Sequence, residues 1–188
     1  MTSKTNSIKK TVIWAIIFLL LGAVIGFVSK WLDLNNEFFG DLFSRIMIWF
    51  VLCTSIAVYS KKPINATVNV FAFCIGMLTA YYLAAIWWDA VWGKTFMYGW
   101  VAFSLCSPFF AFLTWYAKGK GMFAVLLKTG IILVSFAAET VLFGFRAYNL
   151  LLLAFLAYIL FSSRKCSKSL GVSLHSGALF ANVNARCL

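Results

Sequence analysis

The chain has 188 residues, of which 63% are hydrophobic, 19% aromatic and 11% charged, and its mean hydropathy is +0.94. A soluble domain is roughly half apolar and about a quarter charged. The composition therefore excludes a secreted disulfide scaffold, a disordered tail and an ordinary cytosolic enzyme, and it fits about six bilayer crossings of about 20 residues each.

The first apolar run, Val12 to Ser29, follows Lys4, Lys9 and Lys10. It is too long and uninterrupted for a signal peptide and has no small-residue cleavage site, so it reads as a retained helix. Within it, Gly22-x-x-x-Gly26 leaves a groove where another helix can approach closely. Two uses fit that motif: packing inside the bundle, or a docking face for another membrane protein. A polar gap with Asp33 and Glu37 precedes the second run, about Leu42 to Tyr59. Arg45 near its start is expected to snorkel to the outer interface, helped by Trp49 one turn further in. Lys61-Lys62-Pro63 ends this run, and Pro63 suits the first turn of the next helix.

Ala66 to Trp88 carries no charge and is the clearest crossing. Trp87, Trp88 and Trp92 then surround a short gap with Asp89 and Lys94, as expected at a membrane–water boundary. The fourth run, Phe96 to Ala117, holds Pro108, which predicts a kink. Lys118-Gly119-Lys120-Gly121 makes a basic turn before the fifth run, Met122 to about Phe145. The sixth run, Tyr148 to Phe161, is short at about 14 to 16 residues. From Ser169 to Leu188 the composition shifts to Ser, Gly and Asn among scattered apolar residues. That pattern predicts a loose cytoplasmic tail (residues 169–188) after a transmembrane bundle over residues 1–168.

The net charge of +11 is unevenly spread over these gaps. Twelve basic residues, among them Lys9, Lys10, Lys61, Lys62 and Lys118, fall at the N-terminus, in alternate gaps, early in the fifth run and after the last run. Lys30, Arg45, Lys94 and Arg146 share the other side with all five acids. By the positive-inside rule the basic side is cytoplasmic, which puts both termini there. The charge thus reads as topology, the bilayer is the expected partner, and no nucleic acid is expected.

Chemistry-bearing groups are few. Five cysteines lack a CxxC spacing, and His175 in the tail is the single histidine. Haem ligation by histidine, an HExxH zinc site and a Ser–His dyad all lack parts. Paired carboxylates, a P-loop and a dinucleotide fingerprint are missing too. The expectation is a non-enzyme without cofactor or metal.

The fifth run is the most informative. At 100° per residue from Lys128, Ser135 falls at about −20°, Glu139 at about +20° and Arg146 at about 0°. All its charges share one stripe, and a carboxylate facing lipid costs about 2.5 kcal/mol or more. Lys128, about 9 Å from the basic end, has a stem able to snorkel outward. Glu139 either sits hydrated at the outer interface or lines a polar interior with Ser104, Ser107 or Asn149. Glu139, Lys128 and Arg146 are the candidate residues for binding a small molecule or ion.

Tyr59-Ser60-Lys61-Lys62-Pro63, then Val70-Phe71-Ala72-Phe73, Gly76-Met77 and Tyr81-Tyr82, and finally Trp115-Tyr116-Ala117-Lys118-Gly119-Lys120-Gly121 form a recognisable series. Over roughly Leu20 to Gly121 the chain resembles a group of small integral membrane proteins from Gram-positive bacteria. That resemblance implies a bacterial plasma membrane and transfers no functional residues; the chain after Ser163 departs from it. In size, six spans and a small-xxx-small first helix, the architecture is also similar to the substrate-binding subunits of energy-coupling-factor vitamin transporters. The expected function is binding or moving a small molecule as a subunit. The alternative is a structural or regulatory protein that docks another membrane protein through its first helix.

Overall fold

The computed structural model describes residues 2–91, 93–119 and 121–173. Seven helices follow in order: α1 (Thr2–Asn35), α2 (Glu37–Ser44), α3 (Ile46–Tyr59), α4 (Pro63–Trp87), α5 (Lys94–Ala117), α6 (Met122–Phe143) and α7 (Ala147–Ser173). The fold is all-α among the described residues. Four helices are long and apolar enough to cross a membrane, or five when the bent pair α2–α3 counts as one crossing. The apolar part of α7, Ala147–Ser162, is shorter.

The second apolar run is not one helix. It breaks at Arg45, and its two halves meet at 60°. Asn36 starts α2 by accepting the amides of Phe38 and Phe39, satisfying donors that a helix start leaves open. Pro63 opens α4 as expected. Pro108 lies inside a continuous α5. Lacking an N–H, it cannot bond the Ser104 carbonyl; the Ser107 hydroxyl donates to that oxygen instead, at 2.8 Å. Such replacement matters where no water can serve. Helix α7 continues past Lys168 to Ser173, so the boundary expected at 168/169 is not a break in the helix. Residues 174–188 of the expected tail, like Trp92 and Lys120, lie outside the described residues.

Helices α1 and α4 run parallel and nearly touch along their backbones. A Cβ on Gly22 would collide with the Phe73 carbonyl, one on Gly26 with that of Met77, and one on Gly76 with that of Leu19. The small-residue face of α1 is thus used inside the chain rather than offered to a partner. From α4 the bundle continues to α3 and α5, and then to α6 and α7. One core gathers Trp49, Ala57, Val70, Phe73, Met77 and Ala111; the second joins Val51 and Val58 to Leu156, Ile159 and Leu160.

The ends of the helices sort by charge. At the basic end Thr11 donates to Asn65, and Lys118 Nζ donates to the carbonyls of Val58 and Ser60, each at 3.2 Å. A cation on the closing carbonyls of α3 also suits that helix's dipole. At the acidic end Phe27 meets Trp88 and Phe96 meets Phe143. This packing makes the elements alternate in direction.

Candidate functional site

Of the expected stripe on α6, the residues up to Glu139 turn inward together. Lys128, Ser135 and Glu139 are each fully buried. Lys128 does not snorkel outward: its ammonium lies 5.3 Å from the Phe161 ring centre. Arg146 is not on the stripe. The helix ends at Phe143, and Gly144 takes a left-handed φ of 76°, which only glycine adopts without cost. Arg146 follows in the connection and is exposed.

Glu139 is fully buried, and both of its carboxylate oxygens are engaged by protein groups. Its Oε1 accepts from Arg45 Nη1 at 3.1 Å, and its Oε2 accepts from the Met47 amide at 3.0 Å. The carboxylate therefore neutralises a cation and caps the exposed start of α3 from across the bundle, where a negative group suits the helix dipole. Arg45 in turn is 3% exposed, not snorkelled. Its Nε donates to Asp41 and its Nη1 to the Gly144 carbonyl. Tyr148 donates to Asp41 Oδ2, which Arg45 Nε also reaches, and the Phe143 and Tyr148 rings flank the guanidinium at 6.0 and 5.4 Å. This cluster pins the break between α2 and α3 to the ends of α6 and α7.

Ser104, Ser107 and Asn149 are buried as well. Asn149 lies two turns before Leu156 on the inward face of α7, and neither atom of its amide finds a partner among the described residues.

A cavity of about 310 Å³ opens at the acidic end, and its wall shares Phe143 with this cluster. Its aromatic wall comes from Trp49, Tyr81, Tyr82, Phe96, Trp100 and Phe143, contributed by α3, α4, α5 and α6. Lys30 and Asp33, from the last turns of α1, supply its charges. They form an i,i+3 ion pair at 2.7 Å. Tyr81 donates to the same Asp33 oxygen at 3.2 Å, and the Lys30 ammonium lies 5.2 Å from the Tyr81 ring centre. Trp49, expected at the interface, is instead 2% exposed; its indole N–H donates to the Phe43 carbonyl and its ring meets Trp100 edge-on. A concave, mostly aromatic chamber with a few convergent polar groups is the usual form of a small-molecule site. A neighbouring hollow of about 340 Å³ shares Phe96, Trp100 and Phe143 with it.

Sequence reasoning passed over Lys30 and Asp33 because both fell in an apparent loop. Their spacing of three was the available signal, since α1 extends through them and aligns them on one face. Among the described residues no three His, Cys, Asp or Glu side chains gather as a metal site.

The fold defines a class: a multi-pass α-helical membrane protein. No protein family matches the chain, and neither a curated protein nor a solved structure does.

Proposed function

We propose that the chain is a non-catalytic protein of a bacterial plasma membrane that binds a small molecule from the outer side, as the binding subunit of a transport assembly. It crosses the bilayer six times, with α2–α3 as one broken crossing, α7 as the short last one, and both termini in the cytoplasm. The charge distribution supports that orientation. The observation that carries the binding reading is the acidic-end cavity of about 310 Å³ with its aromatic wall and Lys30–Asp33 pair. Its volume is at the lower end of the range for ligand pockets, which suits a small molecule.

The alternative, docking another membrane protein through α1, draws support from one feature. The helix packs mainly on α4 and α2, leaving Ile13, Leu20, Val24 and Trp31 about half exposed or more. Lipid covers such a face equally well, and the Gly22–Gly26 side is already occupied by α4, so the cavity reading is preferred.

The test is ligand-induced thermal stabilisation of the purified protein in lipid nanodiscs, screened against small polar aromatics and metabolite-sized compounds. Leu78 lines the cavity, so Leu78→Trp fills it. A stabilising compound whose effect vanishes in Leu78→Trp is the expected result. Stabilisation that survives in the filled variant, or none from any compound, contradicts the proposal.

A further inference from the structure

The cavity's polar groups are unequally committed, and that asymmetry bears on ligand class. Lys30 is 3% exposed, with its ammonium on Asp33 and over the Tyr81 ring. The Tyr81 hydroxyl donates to Asp33, and the Trp49 indole N–H donates to a backbone carbonyl. Tyr81 and Trp49 thus direct their donors into the wall, and Lys30 commits one of its three N–H groups to Asp33. The Asp33 side chain, by contrast, keeps 26% of its surface exposed, and both of its hydrogen bonds fall on Oδ2. A carboxylate accepts about four hydrogen bonds. The chamber thus offers a guest acceptor capacity at Asp33, beside the Ser44 hydroxyl and the Trp100 indole N–H that also line it.

Charge narrows the class further. Lys30 already neutralises Asp33, so the dyad carries no net charge. An anionic guest would meet the exposed carboxylate, and the ammonium is already paired with that group. A cationic guest would leave water for a chamber whose negative charge is already matched, and burying an unpaired charge is expensive. An uncharged N–H donor avoids both costs. Around the dyad stand rings of Tyr, Trp and Phe, which hold flat π-systems by stacking or edge-on contact.

Resting on the reading of this cavity as a ligand site, we propose that it takes a planar, uncharged heteroaromatic molecule whose ring N–H donates to the Asp33 carboxylate. The test uses benzimidazole at pH 8, where it is neutral, beside 1-methylbenzimidazole, which keeps the ring and loses the N–H. Benzylamine and benzoate serve as cationic and anionic counterparts. Binding to the full chain in nanodiscs is measured by titration calorimetry, with Leu78→Trp as the site control.

Benzimidazole is expected to bind about tenfold or more tightly than its N-methyl form, the scale of one hydrogen bond to a charged acceptor. It is also expected to exceed both charged probes and to lose binding in Leu78→Trp. Equal binding of the two benzimidazoles, or tighter binding of benzylamine or benzoate, overturns the ligand class and leaves the cavity reading standing. Binding by no probe overturns the ligand class and leaves the cavity reading to the broader screen; binding that Leu78→Trp does not change overturns both. Asp33→Asn leaves Lys30 without its charge partner and so risks misfolding; the comparison of the two benzimidazoles on the unaltered protein needs no variant at Asp33.

Discussion

Arg45 and Glu139 lie 94 positions apart in the chain and meet at 3.1 Å in the interior. Removing two charges from water costs several kcal/mol per ion, so such a pair persists only when its remaining bonding groups are also served. Here both carboxylate oxygens are used, and the guanidinium reaches Asp41 and the Gly144 carbonyl besides. Glu139→Gln keeps the shape and leaves Arg45 buried without its deepest counter-charge. It should destabilise the protein by about 3 kcal/mol, read as a lower melting temperature in detergent. Arg45→Met combined with Glu139→Leu should recover much of that loss, because the uncompensated charge disappears with its partner. The sequence marks Glu139 as unusual, since it is a lone carboxylate within an apolar run. It does not reveal the partner, because an arginine near the start of such a run has the same local pattern whether it snorkels or turns inward.

Helix pairs depend on closer tolerances. Gly22, Gly26 and Gly76 let the α1 and α4 backbones come together with no room for a Cβ, whereas nothing lies within 4 Å of a Cβ built on Gly130. Gly22→Ala and Gly26→Ala should therefore lower detergent stability by forcing the helices apart. Gly130→Ala should hold or raise it by up to about 1 kcal/mol, the intrinsic helix preference of alanine over glycine. Thermal melts of the three variants side by side check the contrast; equal losses at all three would refute it. The glycine motif was legible in the sequence, but its partner was not, because any apolar helix could fill that groove. The break at Arg45 was hidden for a different reason. Neither proline nor glycine stands there, and the bend is held by contacts from distant elements rather than by a local breaker. The early end of α6 had a visible signal, Gly144, yet the apolar residues around it masked the stop and carried Arg146 onto an apparent stripe.

At the scale of the whole molecule, the apolar runs and the sorting of charge between gaps were readable, because hydropathy and loop charge act locally. The cavity was not readable, because its wall is assembled from α1, α2, α3, α4, α5 and α6. Alkaline phosphatase fused after Asn36 or Asp89 should be active, and fused after Lys62 or Gly119 inactive, if the basic loops are cytoplasmic.

The most direct test of the account is the accessibility of Ser44, which lies in the cavity wall at the acidic end. On a background with the native cysteines replaced, Ser44→Cys should react in intact cells with a small, membrane-impermeant thiol reagent, and adding Leu78→Trp should slow that reaction. Labelling confined to inside-out vesicles, or a rate unaffected by filling the cavity, would contradict a ligand chamber open to the outer side.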